Sequence, residues 1–121
     1  MGKILLDTNF LIDVVRYKID FDEIGELAGG KLTVVKPVLN ELKKIAAAGS
    51  KERGFAGVAL MVLKRKNVEI IETGERRADE AIFSMAEKNI VATNDIELRK
   101  RLKALGIKII YLRAKKHLAI S

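Results

Sequence analysis

The stretch Lys3-Ile-Leu-Leu-Asp-Thr-Asn9 decides the fold. A short apolar run, Ile4 to Leu6, ends abruptly in a carboxylate, a hydroxyl and an amide, and an amphipathic segment begins at Phe10. Apolar runs this short are typical of strands that are buried on both faces of a parallel sheet. A strand that passes directly into a helix places its last residues at the carboxyl edge of the sheet, where open α/β folds bind ligands. Asp7 is therefore the first candidate for chemistry.

The same three polar residue types follow an apolar run again near the end of the chain. Ile90-Val-Ala-Thr-Asn-Asp95 is again a short apolar run that is closed by a hydroxyl, an amide and a carboxylate, and a helical pattern follows it. A helix N-cap role accounts for Asp95 alone, but it does not account for two strands that end in the same polar cluster. Because the carboxyl ends of parallel strands lie at one edge of a sheet, we expect Asp7 and Asp95 to lie close together.

Three further strands are predicted at residues 32–35, 68–71 and 107–112, and they alternate with helical patterns. Alternating strands and helices are typical of a parallel sheet with helices on both faces. The predicted fold class is therefore α/β, with five parallel strands in a single domain over residues 1–121 and a basic tail at about 113–121. A chain of this length can bury a substantial core.

The charge balance favours a polyanionic partner. Lys and Arg number 23 against 16 Asp and Glu, which gives a formal net charge of +7. Such a charge favours nucleic acid, although an acidic protein or a membrane surface exerts the same attraction. The aromatic content of 5%, without Trp, argues against a platform on which bases stack.

Cysteine and long apolar stretches are both missing from the sequence. The absence of cysteine excludes disulfides, thiolate zinc sites and cysteine nucleophiles, and it fits a reducing compartment such as the cytoplasm. The longest apolar stretch, Val58 to Leu63, is too short to span a bilayer. No signal peptide is apparent before the first strand. We therefore expect a cytoplasmic protein that does not associate with membranes.

Two more acids follow the second and third strands. Glu41 lies at the edge of the apolar stripe of the helix that Pro37 opens, and an exposed charge paired with a lysine is the alternative interpretation. Asp79 falls inside the apolar face of a helix predicted over about 75–88, with Ile82 three residues further on. A carboxylate among apolar neighbours is costly unless it is paired. A buried arginine is one such partner, but a metal site at the sheet edge is the interpretation that we favour.

Four acids thus share one description, because each lies just past a strand end or early in the following helix. They are Asp7, Glu41, Asp79 and Asp95. Clustered carboxylates need raised pKa values or a cation, and oxygen ligands without His or Cys suit Mg²⁺ or Mn²⁺. Such ions support hydrolysis of a phosphodiester bond. Four neighbouring polar residues are placed to orient the ligands, namely Thr8, Asn9, Thr93 and Asn94.

Basic residues concentrate after the last acid. They are Arg99, Lys100, Arg101, Lys103, Arg113, Lys115 and Lys116. Ordinary solvated surface is the usual role of such residues. Their common position near one end of the chain nevertheless favours a track for an RNA phosphate backbone, with affinity that depends strongly on salt.

Two helical segments carry expectations of their own. Asp13 and Arg16 share a polar helix face three residues apart, so Asp13 is interpreted as a solvated member of an ion pair. The helix predicted over about 51–66 is apolar nearly all round, which predicts burial on two sides. A homodimer contact would provide this burial, and a position within the core is the alternative.

Four segments, taken in order, resemble the PIN domain. They are the opening Leu5-Leu-Asp-Thr-Asn9, the helical Glu41, Ala78-Asp-Glu-Ala-Ile82 and Val91-Ala-Thr-Asn-Asp95. Each motif is weak alone, but their order and spacing match over essentially the whole chain. The resemblance implies a three-layer α/β/α fold with a five-stranded parallel sheet, and a Mg²⁺- or Mn²⁺-dependent nuclease that cleaves RNA. It also implies that the four acids are the catalytic metal ligands, that Thr93 supports them and that the protein dimerises.

Two branches of that family compete. VapC-type toxins cut tRNA or rRNA and are silenced by an antitoxin, whereas ribosome-biogenesis PIN nucleases process pre-rRNA. The segment 95–113 is more similar to the second branch, because toxins often carry an aromatic residue shortly after the last acid and Leu98 occupies that region here. We therefore expect rRNA processing. The toxin is the alternative, and it implies an antitoxin partner.

Two further classes of protein are alternatives to an enzyme. A PIN-like scaffold that binds RNA or a protein without cutting is a binding module, and the presence of all four acids argues against it. A phosphate-accepting receiver domain also places an Asp at a strand end. That domain needs an acidic pair near the first strand and a lysine after the last one, whereas Lys108 does not follow the final strand.

Overall fold

The computed structural model describes residues 2–121 and contains six strands and six helices in that range. The strands are β1 (Lys3–Leu6), β2 (Lys31–Val35), β3 (Glu69–Ile71), β4 (Ile90–Ala92), β5 (Ile109–Arg113) and β6 (His117–Ile120). The helices are α1 (Thr8–Arg16), α2 (Phe21–Ala28), α3 (Lys36–Ala47), α4 (Arg53–Arg65), α5 (Ala78–Ser84) and α6 (Ile96–Ala104).

All six strands form one sheet in the order β3-β2-β1-β4-β5-β6. Strands β1 to β5 are parallel to their neighbours, and β6 runs antiparallel to β5. The predicted α/β class, with a central and mostly parallel sheet flanked by helices, is confirmed. The predicted strand count is wrong by one, because the segment expected to be a basic tail at 113–121 folds back to form β6.

The turn between β5 and β6 has an unusual backbone. Ala114 and Lys115 have φ angles of 52° and 58°, in the left-handed region that Gly or Asn normally occupies. After the turn, β6 pairs along β5, and the backbones of Ile109 and Ser121 exchange hydrogen bonds of 3.0 and 2.9 Å. The pairing covers an edge of β5 that would otherwise be open.

Strand β1 lies at the centre of the sheet between β2 and β4. Its residues 4–6 are fully buried, and α1 begins directly after it with Phe10, Leu11 and Val14 also fully buried. No loop separates the strand from the helix, so Asp7 is both the last residue before α1 and its N-cap. The core on either side therefore fixes the position of this carboxylate.

Helix α4 packs against α1 and α3. It buries Ala56, Ala59 and Leu63, whereas Val58 and Met61 are 44% and 58% exposed. Within the single chain, one face of α4 is therefore buried and the opposite face is open to solvent. No helix within residues 2–121 is long and apolar enough to cross a membrane.

Candidate active site

The two polar clusters that follow β1 and β4 lie side by side. Leu6 is opposite Ala92 in the sheet register, and the backbone N–H of Asp7 donates to the carbonyl oxygen of Ala92 at 2.9 Å. The N–H of Thr93 donates to the carbonyl oxygen of Ile110 on β5, also at 2.9 Å. Ladder hydrogen bonds therefore hold both Asp7 and Thr93 in place at the carboxyl edge of the sheet.

The buried hydroxyl of Thr93 connects two of the predicted acids. Its Oγ1 donates to Oδ2 of Asp7 at 2.7 Å and accepts from the backbone N–H of Asp95 at 3.1 Å. Oδ1 of Asp7 accepts from the backbone N–H of Thr8 at 2.9 Å. Each carboxylate oxygen of Asp7 thus has one protein donor and retains capacity for another partner.

Burial is the main influence on the ionisation of Asp7, which is only 8% exposed. It raises the pKa of Asp7 above its ordinary value, because the charged form loses hydration. Hydrogen bonds from Thr93 and Thr8 lower the pKa, and the charges of Glu41 and Asp95 raise it further. Within residues 2–121, no Lys, Arg or His forms an ion pair with Asp7. The site is therefore negative, with no protein cation bound to its buried carboxylate.

Asp95 is the N-cap of α6 and uses one carboxylate oxygen for that purpose. Its Oδ1 accepts from the backbone N–H groups of Glu97 and Leu98 at 2.9 and 3.2 Å. Oδ2 makes no hydrogen bond to any residue between 2 and 121, and Asp95 is exposed. The capping role therefore leaves the second oxygen available for a ligand.

Glu41 is exposed on α3, and its charge acts on Asp7. In the described part of the chain it forms no ion pair, so the lysine-paired alternative is not observed. The structure thus brings the charges of Asp7, Glu41 and Asp95 into one neighbourhood. Their elements are far apart in sequence and meet at the edge of the sheet.

Asp79 is placed differently from its prediction. Its side chain is 32% exposed, and Oδ2 pairs with Nη2 of Arg77 at 3.2 Å. Helix α5 begins at Ala78 instead of about residue 75, so Asp79 lies in the first turn, at the end of the helix. The expected burial of Asp79 is therefore wrong, and its partner is an exposed arginine two residues earlier. Asp79 is also not among the charges that shift the pKa of Asp7.

Asn94 ties three elements together beside the acids. Its Nδ2 donates to Oδ2 of Asp13 on α1 at 2.9 Å, and its Oδ1 accepts from the N–H of Leu112 on β5 at 2.9 Å. Asp13 also pairs with Arg16 at 3.5 Å, but its side chain is only 23% exposed. The predicted ion pair with Arg16 is therefore present, but the prediction that Asp13 is solvated is wrong. Asp13 anchors the turn that carries Asp95, and no local pattern pointed to this, because Asn94 is 81 residues away.

Comparison with known proteins bears directly on this arrangement. Residues 4–115 match the family described as PIN like domain. The chain belongs to this family. The PIN-domain resemblance drawn from four sequence segments is thereby confirmed.

Individual relatives of this PIN domain match over nearly its whole length. Ribonuclease VapC4 of Methanocaldococcus jannaschii is 38% identical over 99% of this chain and 97% of its own. Ribonuclease VapC9 of Archaeoglobus fulgidus is 32% identical over 96% of this chain and 87% of its own. The structure of the PIN domain endonuclease Utp24 has a TM-score of 0.79 and 26% identity, covering 98% of this chain and 90% of that one.

The acids of this PIN domain fit a hard divalent cation. Their donor atoms are all oxygens, and the upward pKa shift of Asp7 reflects burial beside two further negative charges. Within residues 2–121, no three acidic or histidine side chains lie close enough to enclose a metal by themselves. Mg²⁺ keeps several waters and is usually held by one or two carboxylates. An open site with one buried carboxylate therefore suits it better than a closed protein cage.

The other predicted polar residues around the PIN-domain acids differ in their contacts. Thr8 contacts Asp7 through its backbone N–H, and its buried Oγ1 has no hydrogen-bond partner among residues 2–121. That hydroxyl is available to a ligand or to water. Asn9 is exposed, and its side chain forms no hydrogen bond within the described range.

The predicted RNA-binding residues lie on α6 and around the β5–β6 turn. The guanidinium of Arg99 stacks over the ring of Tyr111 at 4.0 Å. Arg101 is partly engaged, at 4.2 Å from the ring of Phe83 and 3.5 Å from Oε1 of Glu80. The remaining members are exposed and form no ion pair within residues 2–121, namely Lys100, Lys103, Arg113, Lys115 and Lys116.

Proposed function

We propose that this PIN-domain protein is an endoribonuclease that hydrolyses RNA phosphodiester bonds with Mg²⁺ or Mn²⁺. The observation that carries the proposal is the buried carboxylate of Asp7, which Thr93 orients and which has two further acids beside it. This constellation lies at the carboxyl edge of a parallel sheet, where α/β folds bind ligands. Two relatives that bear the name ribonuclease match nearly the full length of the chain and support the same activity here.

The side chains of the site have distinct tasks in this proposal. Asp7 and Asp95 hold the cation, because each has an oxygen with unused acceptor capacity and a second contact that fixes its orientation. Glu41 is exposed and unpaired in the described range, so it is available to orient the attacking water by a hydrogen bond. When bound, Mg²⁺ or Mn²⁺ acidifies water and offsets charge at the phosphoryl oxygens.

Asp79 is proposed as a third ligand that is recruited on metal binding. Helix α5 packs against α3, which carries Glu41, and against α6, which Asp95 caps. The salt bridge between Asp79 and Arg77 is exposed, and such pairs contribute at most about 1 kcal/mol. A divalent cation can therefore compete with Arg77 for this carboxylate.

The biological role has two candidates. The near full-length similarity to VapC4 and VapC9 favours a VapC-type ribonuclease of a toxin–antitoxin pair, with an antitoxin as its protein partner. The residue Leu98, where toxins often carry an aromatic side chain, favours pre-rRNA processing. A small gene that overlaps this one would support the first role, and a single copy beside ribosomal genes would support the second.

A cleavage assay with labelled RNA tests the proposed activity. Purified protein is incubated with several RNAs in Mg²⁺ or Mn²⁺, and we expect cleavage that EDTA abolishes. Asp7→Asn should remove cleavage. Asp22→Asn is the matched control, because Asp22 is an exposed acid that pairs with Lys66 on another surface, and it should leave cleavage unchanged. Binding without cleavage across all the RNAs and metals would contradict the proposal and support a non-cleaving scaffold.

A further inference from the structure

A second basic surface lies outside the residues that the sequence assigned to RNA. A cleft of about 770 Å³ opens between α3 and the segment that joins β3 to α5. Five of the side chains that line it are cationic, namely Lys36, Lys43, Lys44, Arg76 and Arg77. None of them belongs to α6 or to the β5–β6 turn. We call this feature the α3 cleft.

Most of the positive charge in the α3 cleft is unengaged. Arg77 pairs with Asp79, and the other four cations form no ion pair with any residue between 2 and 121. Three carboxylates also line the cleft. Glu75 accepts a hydrogen bond from Ser84 at 3.3 Å, Glu72 is exposed, and Glu41 belongs to the acidic cluster. The cations outnumber the acids and remain open to an anionic ligand.

The cleft shares Glu41 with the candidate active site. Lys36, Asn40 and Lys44 follow one another at four-residue spacing, which places them along one side of α3 over about 12 Å. Glu41 lines the same wall, and its charge acts on Asp7. A polymer that reaches the carboxylates therefore meets this row of cations next.

We propose that the α3 cleft binds the sugar–phosphate backbone of the RNA strand on one side of the cleaved bond, an inference that rests on the proposed ribonuclease function. A phosphate placed among Asp7, Glu41 and Asp95 is repelled by their charges, so the strand needs cations beside the site. Arg99 and Lys100 on α6 provide them beyond Asp95, and the α3 cleft provides them beyond Glu41. The RNA strand thus passes over Asp7, Glu41 and Asp95 between two basic surfaces.

Charge-matched variants test this assignment. The cleft variant combines Lys36→Gln, Lys44→Gln and Arg76→Gln. The control combines Lys51→Gln, Arg53→Gln and Arg65→Gln, which removes the same charge from exposed positions that the cleft does not include. Both are made in the Asp7→Asn chain and titrated in EDTA with a short fluorescein-labelled single-stranded RNA, with anisotropy as the readout.

The salt dependence of binding is the quantity that discriminates. Loss of three phosphate contacts should reduce the slope of log K against log salt by about two, and affinity should fall at low salt. The control should keep the slope of the parent. A cleft variant that binds with the slope and affinity of the control would overturn the inference, and an acidic protein segment would then be the candidate ligand of the cleft. An Asp7→Asn chain that binds no RNA would overturn it as well.

A second measurement does not depend on the stability of the variants. In an NMR titration of the Asp7→Asn chain with the same RNA, the amides of residues 36–44 and 72–77 should shift. Shifts confined to α6 and the β5–β6 turn would overturn the inference. Because neither measurement involves cleavage, the two proposals fail separately. RNA that binds in the cleft but is not cleaved would contradict only the proposed ribonuclease activity. RNA that is cleaved without binding in the cleft would contradict only this inference.

Discussion

Asp7 combines a fixed geometry with an unfavourable environment for its charge. Thr93 and the backbone N–H of Thr8 each donate to one of its carboxylate oxygens, and burial raises its pKa. The ionised form is therefore held in one orientation but is poorly solvated. A cation would remove this penalty, which links metal binding at the residue to the stability of the whole fold.

Asp7→Asn should change how stability depends on pH in the absence of metal. The pKa of Asp7 in the folded state lies above its unfolded value, so the folded state binds the proton more tightly and the free energy of unfolding falls as pH rises between the two values. Asn does not titrate. Relative to the native chain, the variant should therefore gain stability as pH rises, by about 1.4 kcal/mol per unit of pKa difference.

Urea denaturation of both chains in EDTA, from about pH 4 to about pH 8, measures this difference. The control is Asp22→Asn, which replaces an exposed acid. A relative stability of Asp7→Asn that stays constant or falls with pH would show that burial does not raise the pKa of Asp7.

Thr93→Val should impair both folding and activity. The hydroxyl is fully buried, donates to Asp7 and accepts from the N–H of Asp95. Valine has a similar shape but leaves that N–H unpaired, which costs about 1–3 kcal/mol. Loss of an orienting contact to a metal ligand should also reduce kcat by about 10-fold to 100-fold. Thermal unfolding and single-turnover cleavage measure the two effects. Thr93→Ser keeps the hydroxyl and serves as the control, so equal activity of the two variants would contradict the bridging role.

At the scale of single residues, the sequence was informative where the relevant residues are neighbours in the chain. The cluster of Thr, Asn and Asp after each of two buried strands pointed to Asp7, Thr93 and Asp95. Asp79 was misjudged because the helix begins only at Ala78, so Asp79 lies in the first turn and its side chain is partly exposed. Asp13 was missed because its partner Asn94 is brought to it only by tertiary structure.

At the scale of elements, strands β1 to β5 were predictable because each is a short segment rich in Ile, Leu or Val that alternates with helical patterns. Strand β6 was not, because the turn before it gives none of the usual signals. Ala114 and Lys115 adopt positive φ angles. A turn of this kind is usually recognised in a sequence by Gly or Asn, and neither is present here. The segment 113–117 therefore resembles a charged tail in sequence, although it forms a hairpin.

Removal of β6 should destabilise the sheet and expose its edge. A chain that ends at Lys116 loses the pairing of β5 with β6 and leaves the polar groups of β5 unpaired. We expect a lower Tm and concentration-dependent aggregation, measured by thermal unfolding and light scattering. His117→Ala in the full chain is the control, because this exposed side chain can be removed without loss of the strand. An unchanged Tm for the shortened chain would show that β6 contributes nothing to the fold.

At the scale of the whole molecule, the outer face of α4 is the surface on which we expect homodimerisation. Val58 and Met61 are exposed there, on a helix whose other side is packed. Sedimentation velocity should detect a dimer at micromolar concentration, and Met61→Glu should shift it to the monomer, because a charge in an apolar contact is costly. Leu105→Glu is a matched control on another exposed apolar residue and should leave the dimer intact. A native chain that remains monomeric at all concentrations would remove this expectation.

Acidic and basic residues occupy separate parts of the molecular surface. In the proposed arrangement, an acidic edge formed by Asp7, Glu41 and Asp95 lies between the basic surface of α6 and the α3 cleft. The net charge of +7 predicts that RNA is attracted to the protein. The acidic edge repels phosphate unless a cation is present, so the proposed function places RNA attraction and catalysis on different parts of one surface.

Anomalous diffraction from crystals that contain Mn²⁺ tests most directly whether these carboxylates hold a metal ion. The proposed mechanism predicts a manganese peak within coordination distance of Oδ atoms of Asp7 and Asp95, with Glu41 close by. No peak at these carboxylates, in crystals grown at a Mn²⁺ concentration that supports cleavage in solution, would contradict it.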